Sequence, residues 1–119
     1  MNSTIEQELE RSGRIIQTIV GNSMEPMLHN RESVVVIECF DGILKRGDIP
    51  LYKRPNGEYV LHRILRVRER DYIIRGDNCL RKEIIPHEMV IGVTTGFYKN
   101  GTKIPLTDEK YRRYVAFLP

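Results

Sequence analysis

Tryptophan is absent from this chain, alanine occurs once and cysteine twice in 119 residues. Scarcity of alanine, the strongest helix former, argues against a helical bundle and for a strand-rich chain. Cys39 and Cys79 form no CxxC pair, so both are expected as free thiols in or near the core. The scattered His and Cys residues match no metal-ligand spacing and no glycine-rich phosphate loop occurs, so neither a metal nor another cofactor is expected. No run of about 18 apolar residues exists, which excludes a membrane-spanning helix. Nor does one charge dominate: 19 Lys and Arg against 16 Asp and Glu leave +3, and nucleic acid is not implied as a partner. Glu6, Glu8 and Glu10 stand where a secretory signal would need basic and then apolar residues, so a cytoplasmic location is expected.

What is present fits a single globular domain of mainly β architecture. Ser3 and Glu6 read as a capping box for a short amino-terminal helix that Gly13 ends, giving a helical arm over residues 1–14. A core of short strands is expected over 15–98. Ile15 to Val20 and Ser33 to Glu38 read as strands, and a third opens at Gly47-Asp48 and runs through Lys53, with Pro50 marking an edge or a bulge. Asn56-Gly57 places a hairpin between that strand and the long segment Glu58 to Val67. Asp71 to Arg75 and Met89 to Thr95 follow as strands. Asn100-Gly101 marks a second hairpin, and Thr107 or Asp108 caps a short helix in a carboxyl-terminal tail over 99–119.

Three places carry chemistry. Gly21-Asn22-Ser23-Met24-Glu25-Pro26 sets a serine in a loop just after a strand, with backbone N–H groups available to stabilise charge on a carbonyl oxygen. The local alternative is an ordinary turn, for which these residues are equally suited. Period-two alternation puts His62 on the face of Val60 and Ile64, held on a strand among other residues, where a neutral imidazole can act as a base near pH 7. His29 and His87 lie beside polar loop residues and read as surface groups. Asp77, after Gly76, and Glu83 are carboxylates either of which can accept a bond from the other ring nitrogen and fix its tautomer; a turn residue and a solvated charge are the alternatives.

In order along the chain, GNSMEPML, GDIPLY, VLHRILRV, RGDN and VIGVTTG resemble the catalytic region of type I signal peptidases of the endoplasmic-reticulum and archaeal type, over 76 of the 119 residues from Gly21 to Gly96. The resemblance implies the β-rich catalytic fold shared with LexA-like self-cleaving repressors, with a nucleophile at Ser23 and a general base at His62. The family's GDN carboxylate falls on Asp77, and its following aspartate falls near Glu83. Where the family often has a hydroxyl residue two positions before the nucleophile this chain has Gly21, so the backbone N–H groups of Asn22 and Ser23 are expected to form the oxyanion hole. Only 22 residues, mostly polar, precede Ser23, and neither an anchor nor a helix-turn-helix domain is expected among them. The expectation is therefore a soluble serine endopeptidase acting on an extended peptide, such as the leader of a cytosolic precursor. Its rival is a catalytically silent peptide-binding module of the same fold. The Arg66, Arg68 and Arg70 series reads as a solvated strand face.

Overall fold

A computed structural model describes residues 4–118. The amino-terminal helix α1 (Ile5–Ser12) is capped by Thr4, whose side chain accepts from the Gln7 N–H while the Gln7 side chain accepts from the Thr4 N–H. This box is shifted from the expected pair: Ser3 lies outside the described residues, and Thr4 occupies the extended backbone position that capping requires. Gly13, left-handed at φ 77°, ends the helix.

The strands are β1 (Arg14–Thr18), β2 (Val34–Glu38), β3 (Pro50–Lys53), β4 (Tyr59–Leu61), β5 (Arg63–Val67), β6 (Asp71–Arg75), β7 (Glu83–Pro86), β8 (Val90–Lys99) and β9 (Thr102–Pro105). They form two antiparallel sheets. The larger runs β1-β2-β8-β3-β4, with β9 added along the far half of β8; the smaller is β5-β6-β7. Helix α2 (Glu109–Ala116) closes the described chain, with the Asp108 carboxylate accepting from the Tyr111 N–H.

Both Asn-Gly hairpins form. Lys53 pairs with Tyr59 around Gly57, and Lys99 pairs with Thr102 around Asn100 and Gly101, both at positive φ as a type I′ turn demands. Pro50 is not at a sheet edge, since β3 lies between β4 and β8. It is the first residue of the strand, and the bulge falls one position on, between Leu51 and Tyr52. The long segment from Glu58 to Val67 is not one strand. It breaks at His62, where the chain leaves the larger sheet and enters the smaller one.

Apolar side chains collect in two clusters. One lies beneath α1 and the larger sheet, around Leu9, Val35, Ile37 and Ile49. The other lies between the sheets, where Tyr52, Ile64, Tyr72, Ile74 and Ile85 are each at most 1% exposed. Burial of this kind contributes roughly 1.5–3 kcal/mol for each large apolar side chain. Cys39 and Cys79 are free thiols, but Cys39 is exposed and not in the core. Among the described residues no helix is long and apolar enough to cross a membrane.

Candidate active site

The loop after β1 is fixed from below and from the side. Met24 and Leu28, 2% and 0% exposed, anchor it in the cluster beneath the larger sheet, and the Leu28 N–H donates to the Met24 carbonyl. Gly21 takes a φ of 98°, a conformation that side chains resist, and its N–H donates to the Asn30 side chain. Ser23, between these anchors, is half-buried with its hydroxyl in a groove.

Across 39 positions of sequence, His62 Nε2 stands 3.2 Å from Ser23 Oγ. His62 is therefore not held within a strand as the alternation implies; it occupies the one-residue break between β4 and β5. The neighbours on both sides fix that break. Val60 and Ile64 are buried, and Arg63 is buried too, which strict alternation would have sent to solvent. Burial lowers the His62 pKa from its ordinary 6.5, the Arg54 charge lowers it further, and Glu83, Asp77 and Glu58 oppose both. The net direction favours the neutral imidazole.

Neither candidate carboxylate bonds His62 directly. Both Asp77 oxygens are given to Arg63, at 2.8 Å from Nε and 2.8 Å from Nη2, and the Tyr114 hydroxyl adds a third bond at 2.8 Å. The Arg63 and Asp77 side chains are 2% and 1% exposed, so Asp77 is neither an orienter in contact with the ring nor a surface turn. Arg63 also donates to the Gly47 carbonyl and the Tyr111 hydroxyl, which ties α2 to the site from behind. Glu83 is likewise not a free solvated charge. It opens β7, a strand that sequence reasoning missed, and it accepts from Arg54 Nη2 at 2.8 Å and from the Tyr52 hydroxyl at 3.0 Å. The bond from Arg54 holds its pKa below the usual carboxylate range, against the effect of burial. Between Glu83 and the ring stands Tyr52, whose hydroxyl lies 3.4 Å from His62 Nδ1.

The turn after β6 clamps the Ser23 loop. The Asn78 N–H donates to the Ser23 carbonyl at 2.7 Å and its side-chain amide to the Asn22 carbonyl at 3.0 Å. Gly76 lies so close beneath that a β-carbon there would stand 2.6 Å from the Ser23 carbonyl oxygen and 3.1 Å from His62 Nε2. Among the described residues neither the Asn22 N–H nor the Ser23 N–H donates to a backbone acceptor.

Ser23 and His62 open into a groove of about 590 Å³. Its walls include Gln17 and Thr18 of β1 and Tyr59 and Leu61 of β4, the two end strands of the larger sheet, with Ile19 and Met24 between them. Among the described residues no group of three His, Cys, Asp or Glu is placed to hold a metal ion. His29 is exposed and bonded to Glu25, as a surface group should be. His87, by contrast, is half-buried, tilted against the Tyr72 ring with Nε2 on the Asp71 carbonyl.

Tyr52, Arg54 and Asn78 are the site residues that reading the sequence did not assign. For Tyr52 a signal existed. An Asn-Gly hairpin pairing Lys53 with Tyr59 sets Tyr52 opposite Val60, which makes His62 its diagonal neighbour on the same face. Comparison with known proteins finds no matching family model and no matching curated protein.

Proposed function

We propose that this chain is a serine peptidase of the signal-peptidase-like type, with Ser23 as nucleophile and His62 as general base, cutting an extended peptide bound in the groove. The observation that carries the proposal is the 3.2 Å approach of Ser23 Oγ to His62 Nε2 in a groove walled by the two end strands of the larger sheet, whose outer edges pair with no strand among the described residues. An extended peptide can add main-chain hydrogen bonds to such an edge while its alternate side chains enter the apolar lining around Ile19, Met24 and Leu61. Ser23 Oγ attacks the scissile carbonyl carbon as its proton passes to Nε2. The oxyanion takes bonds from the N–H groups of Asn22 and Ser23, and the imidazolium returns the proton to the leaving amine. Water then hydrolyses the acyl-enzyme, with His62 again accepting a proton.

The second reading, a silent peptide-binding module, is favoured by Gly21, which supplies no side-chain donor to the oxyanion, and by the lack of a carboxylate in contact with His62. Incubating a peptide library with the wild type, Ser23→Ala and His62→Ala, followed by mass spectrometry, separates the two. The peptidase cleaves a subset of peptides and loses at least ~10³-fold of that rate in either variant. Equal peptide binding by all three proteins with no cleavage by any supports the module instead.

A further inference from the structure

We propose that Tyr52 is the positioning residue of this site: its hydroxyl, oriented by Glu83, fixes the tautomer of His62. The proposal rests on the peptidase reading and adds a residue to it. The chain of contacts runs from Ser23 Oγ to His62 Nε2 at 3.2 Å, from His62 Nδ1 to the Tyr52 hydroxyl at 3.4 Å, from that hydroxyl to Glu83 at 3.0 Å, and from Glu83 to Arg54 at 2.8 Å.

Hydrogen counting gives this chain a direction. Arg54 keeps Glu83 ionised, so the carboxylate can only accept. A phenol has one hydrogen, and the geometry commits it to Glu83. The Tyr52 oxygen then faces the imidazole with lone pairs alone, so Nδ1 must carry the ring hydrogen and Nε2 must be the basic nitrogen. That is the tautomer a base for Ser23 requires. Burial and the adjacent Glu83 charge raise the Tyr52 pKa well above its ordinary value, so the phenol keeps its hydrogen throughout the working range. When His62 becomes charged, the Glu83 carboxylate behind that oxygen opposes the charge of Arg54, as do Asp77 and Glu58. The contact of 3.4 Å is long, as catalytic hydrogen bonds often are before substrate binds.

Tyr52 is fully buried, and Tyr52→Phe keeps its ring while deleting only the oxygen. Glu83→Leu supplies a second, independent variant. Tyr52 and Arg54 Nη2 both donate to the same Glu83 oxygen, Oε1, so deleting the carboxylate leaves Nδ1 as the remaining partner of the phenol hydrogen. The ¹⁵N chemical shifts of the neutral His62 ring, assigned by their loss in His62→Ala, read the tautomer whether or not any peptide is cleaved. In the wild type the hydrogen is expected on Nδ1; in both variants it moves predominantly to Nε2. On a cleaved peptide, kcat is expected to fall at least ~10-fold in Tyr52→Phe, with KM within about twofold and the pH midpoint displaced downward. A wild-type ring hydrogen on Nε2, an unchanged tautomer in Tyr52→Phe, or a switched tautomer with unchanged kcat would each overturn the proposal. Absence of Ser23-dependent cleavage by the wild type would sink the peptidase reading instead, and the tautomer comparison would still decide whether Tyr52 governs the ring.

Discussion

Gly76→Ala is expected to remove at least ~10²-fold of peptide turnover while the chain stays folded. The position is not reserved for glycine by its backbone angle, since Gly76 is outside the left-handed region. What excludes a side chain is space. A β-carbon would stand 2.6 Å from the Ser23 carbonyl oxygen, 2.8 Å from Cys79 Sγ and 3.1 Å from His62 Nε2. The thiol can rotate away, but the Ser23 carbonyl is held by the Asn78 N–H, so the Ser23 loop itself must shift. A displacement of about an ångström separates hydroxyl from imidazole, whereas overpacking of this kind costs only about 1–3 kcal/mol of stability. Turnover and thermal denaturation of the same variant check both halves. Turnover within a few-fold of wild type would mean that Ser23 and His62 do not work from the positions described.

The second large effect falls on stability. Arg63→Met leaves the Asp77 carboxylate buried without its cation, and loss of one partner from a buried ion pair costs about 3–5 kcal/mol. The expected fall in Tm is roughly 10–20 °C for a domain of this size. Adding Asp77→Leu removes the stranded charge, so the double variant is expected to recover part of the loss. Denaturant titration of the two single variants and the double variant measures this. The pair joins the residue after His62 to the residue after Gly76, with Tyr111 and Tyr114 of α2 bonded to it. A single-variant cost under about 1 kcal/mol, the range of an exposed pair, would show that the Arg63–Asp77 contact does not hold these elements together.

Local chemistry made much of this molecule readable beforehand. The hairpins at Asn56-Gly57 and Asn100-Gly101 and the strand Asp71–Arg75 follow from turn residues and alternation alone. The pairing of Ser23 with His62 came from the order of the motifs, and the two side chains lie in contact. What the sequence could not reveal depends on partners distant along the chain. Arginine is usually exposed, so nothing in HR marks Arg63 as buried; its acid lies 14 positions away and its phenols on α2. The break at His62 hides inside one continuous run of strand-forming residues, because the chain changes sheets there without a glycine or proline. Strand β7 was missed since Glu83-Ile84-Ile85-Pro86 is short, ends in proline and follows two cations. Next to the ring stands a phenol, Tyr52, and not a carboxylate.

Covalent labelling of Ser23 tests the central claim most directly. An active-site fluorophosphonate attacked by an activated serine adds one adduct, which intact-mass and peptide analysis assign to a residue. The expected result is a single adduct on Ser23 that is lost in His62→Ala. Its rate should rise with pH through a midpoint below 6.5, because burial and Arg54 favour the neutral ring. Labelling that persists unchanged without His62, a rate independent of pH, or no adduct on Ser23 would contradict the account.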